Sequence, residues 1–298
     1  MIVVMGATGN TGKKIVVGLL GKGVPVRAIG RSRGRLAELA ALGAELAVGD
    51  SRDAGFLARA FAGADAAYTL LPTDRRAADY RGMQDHEGEA IVSALREAGV
   101  PRVVALTSVG AELAEGSGLI AGFRAQEERL RSLPGVHRYL LHAVSFFEDF
   151  HDQLEVILHE GVVADSVDAN LAIPMVASRD VAAAAIEALT DLTWTGEVVR
   201  ELIGERDLSY TEAALILGER IGRPGLPYVR LADDEMVVAL TGSGLSASFA
   251  ERYVAMTRAF NACTVRPRHG RTRENTTPTS FETFADELAS TWAALVST

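Results

Sequence analysis

The stretch Met1-Ile-Val-Val-Met-Gly6-Ala-Thr-Gly9-Asn-Thr-Gly12-Lys-Lys-Ile15 decides the fold. A short run rich in β-branched residues ends at Met5, three glycines follow at intervals of three, and apolar residues then recur at helical spacing up to Leu20. The pattern reads as a buried strand, a tight turn and a helix. Gly6 suits the strand-to-helix turn, Gly9 lets the backbone approach a phosphate closely, and Gly12 lets the helix lie against the strand. Backbone N–H groups around Asn10 and Thr11, at the positive end of the helix, are placed to hold a pyrophosphate, with Thr8 in the same turn. The spacing is G-x-x-G-x-x-G, not G-x-G-x-x-G, so its place at the first strand-helix junction carries the reading.

Outward from this turn, apolar runs at 2–5, 24–29, 45–48, 66–71, 102–107, 138–142 and 198–203 are predicted strands, and 11–20, 36–42, 56–61, 76–98 and 123–133 are predicted helices. Alternation of continuous apolar strands with helices predicts an α/β fold, a doubly wound parallel sheet covered on both faces. From about residue 144 the rhythm changes: helices are expected at 146–160, 179–189, 209–221, 233–240, 245–261 and 281–296, with no further strand alternation past Gly204. The expected organisation is a Rossmann domain over 1–143 plus 176–203, and a smaller, mostly helical lobe over 144–175 plus 204–298 that takes substrate or partner.

The 298 residues are 48% hydrophobic and 23% charged, which excludes a disordered or fibrous chain. A formal charge of −9 argues against a nucleic-acid or anionic membrane surface. No apolar stretch is long enough to span a bilayer, and the N-terminus lacks the basic lead of a signal peptide, so a cytoplasmic protein is expected. A single cysteine, Cys263, permits no intrachain disulfide. Of 30 basic residues only Lys13, Lys14 and Lys22 are lysines, so lysine chemistry is excluded beyond residue 22.

The end of the second strand bears on the cofactor, because a carboxylate there bonds a ribose 2′-hydroxyl whereas an arginine suits a 2′-phosphate. Here the chain reads Arg27-Ala-Ile-Gly-Arg31-Ser-Arg33, with no carboxylate before Glu38. NADP(H) is therefore expected in preference to NAD(H), with Arg31 at the phosphate and Ser32 or Arg33 assisting. Asp50, followed by Ser51, is placed to accept from the adenine amino group or to cap the next helix. Leu70, Leu71 and Pro72 are expected beneath the ribose and nicotinamide.

Together the segments GATGNTG at 6–12, VGD at 48–50, LTSVGA at 106–111, FFEDF at 146–150, PMVASRDVAAAA at 174–185 and LSYTEAALIL at 208–217 resemble the NmrA-like branch of the atypical short-chain dehydrogenases/reductases. The resemblance implies a Rossmann fold and NADP(H) binding. It leaves open whether the chain is a quinone or dye reductase or a catalytically silent redox sensor. None of the six tyrosines has a lysine four residues later, so the superfamily's Tyr-x-x-x-Lys pair is missing. The resemblance puts Arg129 at the lysine position, Ala125 at the tyrosine position, and Ser108 at the orienting serine. Arginine stays protonated and cannot shuttle a proton at neutral pH; alternatively Arg129 simply pairs with Glu127 or Glu128. His142 follows the sixth strand's leucines and could hydrogen-bond a substrate carbonyl or be satisfied by its neighbours. Phe146, Phe147 and Met175 are expected to line a cleft between the lobes, consistent with a flat aromatic acceptor, although such residues more often form core.

His151, Glu155 and His159 share a helix face but match no zinc signature, so no metal is expected. The basic stretch 266–273 could contact an acidic partner, but on an acidic protein it is expected to be a solvated loop. The reading is an NADPH-dependent reductase of a small conjugated electrophile. Its alternative is a non-enzymatic NADP(H) sensor, and a homo-oligomer or a regulatory protein partner stays open.

Overall fold

The computed structural model describes residues 1–113 and 115–297. In chain order the elements are β1 (Ile2–Val4), α1 (Asn10–Gly21), β2 (Val26–Gly30), α2 (Arg33–Ala41), β3 (Glu45–Val48), α3 (Ala54–Phe61), β4 (Ala66–Leu70) and α4 (Tyr80–Ala98). Then follow β5 (Arg102–Ser108), α5 (Ala121–Arg131), β6 (His137–Ala143), β7 (Ser145–Phe146), α6 (Phe150–Glu160), β8 (Val163–Asp165), β9 (Ile173–Val176), α7 (Ser178–Thr190) and β10 (Glu197–Leu202). The remainder holds β11 (Asp207–Leu208), α8 (Tyr210–Arg220), β12 (Tyr228–Arg230), α9 (Asp233–Gly242), α10 (Ala247–Asn261) and α11 (Phe281–Val296).

Seven strands form one parallel sheet in the order β10-β6-β5-β4-β1-β2-β3, the expected Rossmann topology. Successive side chains point to opposite faces, so each apolar run feeds two cores at once. Ile2 and Val4 join Ile15, Leu19, Val181 and Ala185 on one face; Val3 and Met5 join Leu57, Ile91 and Leu95 on the other. The alanine-rich α7 packs against α1 at close range, where a Cβ on Gly18 would meet Ile186 Cδ1 at 2.4 Å. A third core, built from Phe147, Phe150, Leu217, Phe281, Phe284 and Leu288, holds α6, α8 and α11 together beyond the carboxyl edge of the sheet. Among the described residues no helix is long and apolar enough to cross a membrane.

Several expectations need correction. Strand pairing does continue past Gly204: β11 pairs antiparallel with β9, and β12 parallel with β8. Both are two or three residues long, too short to show an alternation. The helix expected at 146–160 begins only at Phe150, because Ser145–Phe146 first pairs with Met175–Val176. The helix expected from residue 76 begins at Tyr80, where the Asp79 carboxylate accepts from Gly82 N at 2.9 Å. The stretch 266–273 is the exposed loop expected, but it is tied to the body of the protein. Arg268 pairs with Glu112 at 3.2 Å, its N–H donates to Glu201 at 2.8 Å, and Arg271 donates to Gly204 O at 2.5 Å and to Asp207.

Candidate functional site

The glycine turn lies at the carboxyl edge of the sheet between β1 and α1. Gly6 has φ +61°, a left-handed conformation that side chains resist. A Cβ on Gly12 would sit 2.2 Å from Gly6 O, so only glycine lets the helix start this close to the strand. Gly9 occupies the position before α1 and no side chain caps the helix, which leaves its first N–H groups directed at the turn. Thr8 O accepts from the Arg35 guanidinium at 3.4 Å, and Thr11 Oγ1 is held from below by Tyr68 OH at 3.1 Å. An uncapped helix start behind a side-chain-free turn fits a pyrophosphate.

Beyond β2, Arg31 is exposed and close enough to lower the Asp50 carboxyl electrostatically. Ser32 caps α2, its Oγ accepting from Arg35 N at 3.4 Å. Asp50 does not cap α3; Asp53 does, accepting from Phe56 N at 3.0 Å. Instead Asp50 is clamped by Arg52, with Nη2 to Oδ2 at 2.5 Å and the Arg52 N–H to Oδ1 at 2.9 Å. Those hydrogen bonds hold its carboxyl down at about 2. Below them Glu87 of α4 is buried, and loss of water pushes it up to about 7 against the pull of Arg52 and Arg31. Arg35, Arg52 and Glu87 escaped the sequence reading because their relation to this turn is made by tertiary packing. Leu71 is buried, whereas Leu70 and Pro72 are partly exposed at the end of β4.

Next to this edge opens a cavity of about 470 Å³ between the sheet and the third core. Ser108, Phe146, Phe150, Phe249, Tyr210 and Tyr253 are on its wall, with Arg75, Asp149 and Asp165. Ser108 Oγ donates to Val109 O at 2.9 Å. Phe147 and Met175, each 1% exposed, belong to the third core; Phe147 begins a one-turn helix after β7 and packs on Phe281 and Phe284.

Arg129 and His142 do not line the cavity. Arg129 reaches neither Glu127 nor Glu128; it binds Asp85 of α4 at 2.5 Å, because α5 packs on α4. His142, 2% exposed, lies 2.8 Å from the equally buried Glu127. Burial works to raise the Glu127 carboxyl, but His142, Thr107 and Arg131 together outweigh it and hold it below the usual range. On α6, His159 stands 3.4 Å from Glu155, while His151 sets its ring edge-on to Phe284 at 5.8 Å. Among the described residues no group of three or more His, Cys, Asp or Glu is placed to hold a metal.

Residues 6–132 match the NAD(P)H-binding family model. That stretch is similar to NAD(P)H-binding domains, and the Rossmann fold is shared with NmrA. It is 26% identical over 251 residues to an NAD(P)H azoreductase of Xenophilus azovorans, covering 84% of each chain. A structure of the NADPH-dependent quinone oxidoreductase QOR2 of Escherichia coli, complexed with NADPH, superposes with a TM-score of 0.78 at 22% identity, over 97% of this chain and 99% of that one. NmrA, a negative transcriptional regulator in complex with NADP, superposes with a TM-score of 0.76 at 18% identity, over 100% and 97%.

Proposed function

We propose that this protein is an NADPH-dependent reductase, delivering hydride directly to a quinone-like or other conjugated small electrophile. The observation that carries the reading is the aromatic-walled cavity of about 470 Å³ opening beside the carboxyl edge of a sheet whose glycine turn fits a pyrophosphate. NADPH supplies the hydride when bound. Gly6, Thr8, Gly9, Asn10, Thr11 and Gly12 hold the pyrophosphate through backbone N–H groups and close approach. Arg31, beside Ser32, offers a planar fork to the 2′-phosphate, which favours NADP(H) over NAD(H). Asp50 and Ser51 flank the adenine, and Leu70, Leu71 and Pro72 run beneath ribose and nicotinamide. Ser108 and Phe146 position a flat acceptor and exclude water, which is how proximity lowers the barrier. The azoreductase relative supports this reading.

The second reading is an NADP(H) sensor that binds a partner protein according to redox state. It is favoured by position 125 being alanine and by Arg129 being tied to Asp85, so the superfamily's usual acid-base positions are silent. Steady NADPH consumption with a panel of simple quinones separates the two. Turnover supports the reductase; tight NADPH binding without turnover overturns it in favour of the sensor.

A further inference from the structure

Asp149 immediately precedes α6, where an aspartate ordinarily caps the helix, yet its side chain makes no capping bond. The residue is exposed, and what it is exposed to is the cavity it lines. Its carboxylate accepts from the Phe146 N–H, and charged and polar groups approach it from several elements. Arg75 faces it from the segment between β4 and α4, Tyr210 from α8, Tyr253 from α10, and Glu148 and Asp152 from its own segment. Asp165 of β8 stands behind Tyr253, and α9 contributes only the apolar Met236 and Leu240 to this wall. Loss of water pushes the Asp149 carboxyl up to about 6, with the Arg75 charge pulling the other way.

The other titratable groups of the wall are engaged or mistuned. Asp165 also rises to about 6, but its carboxylate is consumed by Tyr253 OH at 2.5 Å and Ser166 N at 2.6 Å. Burial drives Tyr210 and Tyr253 well above the ordinary phenol value, and it also raises Tyr80, so all three are poor acids. Asp152 is paired with Arg75 at 2.5 Å. Ser108 is an alcohol already donating to a carbonyl.

We propose that Asp149 is the catalytic acid of this cavity, donating a proton to the heteroatom of a neutral conjugated acceptor as that acceptor receives hydride. The assignment rests on the reductase reading. When the acceptor atom, a carbon of a quinone or one nitrogen of an azo bond, takes the hydride, its π bond breaks and the electron pair moves to the conjugated oxygen or to the other nitrogen. The O–H bond of Asp149 breaks as a new O–H or N–H bond forms there. The acceptor is reduced by two electrons, NADPH is oxidised, Asp149 becomes a carboxylate, and solvent returns its proton. An acceptor that is already a cation is neutralised by hydride alone and does not use Asp149. The substrates that depend on this residue are therefore neutral quinone- or azo-type acceptors.

The test compares wild type with Asp149→Asn, using 1,4-naphthoquinone as the neutral acceptor and a triphenylmethane cation as the hydride-only acceptor. NADPH affinity and melting temperature, measured alongside, show that the variant is folded and loaded. Expected results are a fall of roughly 10²-fold in kcat with the quinone and less than about threefold with the cation. In wild type, quinone kcat falls as pH rises above about 6, and the variant loses that limb. Asp149→Glu restores part of it. Equal losses with both acceptors, or an unchanged quinone pH profile, overturn the assignment while leaving the reductase reading intact. If wild type reduces neither acceptor, the reductase reading falls and takes the assignment with it. Independently of turnover, carbon-13 NMR of aspartate carboxyls in cofactor-free protein should show a titration near pH 6 that vanishes in Asp149→Asn. Its absence from wild type overturns the acid assignment alone.

Discussion

Arg31 follows the last residue of β2 with an exposed guanidinium, and its charge is felt at both Asp50 and Glu87. A fixed cation with a planar donor fork at this point has more to gain from a phosphate dianion than from a hydroxyl. Arg31→Ala should weaken NADPH binding by roughly 10- to 100-fold, the worth of a lost charged hydrogen-bonding pair, and leave NADH binding nearly unchanged. Isothermal titration with both cofactors checks this, and unchanged NADPH affinity would remove Arg31 from the site. Arg31 could be singled out in the sequence because it directly follows a strand in a pattern of known geometry. Asp149 could not, because FFEDF reads as the start of an amphipathic helix. Only the short pairing of Ser145–Phe146 with β9 delays the helix and turns the carboxyl into the cavity.

At the scale of elements, β8 carries its own pH dependence. Asp165, 2% exposed, is raised by burial to about 6, so the folded protein binds a proton there more tightly than the unfolded chain does. Its contribution to stability is thus fullest below the ordinary aspartate value and is lost as pH rises through about 6. Asp165→Asn should remove that dependence and leave the variant up to about 3 kcal/mol better off at pH 8 than at pH 3.5, relative to wild type. Urea unfolding of both proteins across that range measures the difference; a constant offset at all pH values would contradict it. The seven sheet strands were legible as elements because most of their residues are apolar and feed cores on both faces, with only scattered polar positions such as Arg27 and Arg200. The two- and three-residue strands of the lobe were not, since their pairing depends on partners far along the chain. For the same reason the ties of 266–273 to Glu112, Glu201 and Asp207 lie beyond any local pattern.

Over the whole molecule, the cavity is walled on one side by the sheet and on the other by the third core, and the chain passes between them several times. One of the two tryptophans packs against a core of the sheet and the other lies in the third core. Trp194 packs edge-on to Tyr139 at 5.5 Å beside the sheet, and Trp292 of α11 is capped by Arg223 at 4.8 Å. With the chain crossing repeatedly and the cavity wall shared, the two cores should unfold together. Single-tryptophan variants Trp194→Phe and Trp292→Phe should give coincident urea transitions, shifted together by saturating NADPH. Separate midpoints would show two independent units.

The place of β10 beside β6 has a consequence for the chain while it is still being made. A nascent protein that has emerged only through β6 displays an unpaired strand edge and the bare flank of α1 that α7 later covers. Neither can be closed until β7, α6, β8 and β9 have left the ribosome, because α7 and β10 come after them. Throughout that interval the half-built sheet presents the kind of edge that pairs indiscriminately with other chains. Stalled or prematurely terminated translation products of this protein are therefore expected to be chaperone clients or to aggregate.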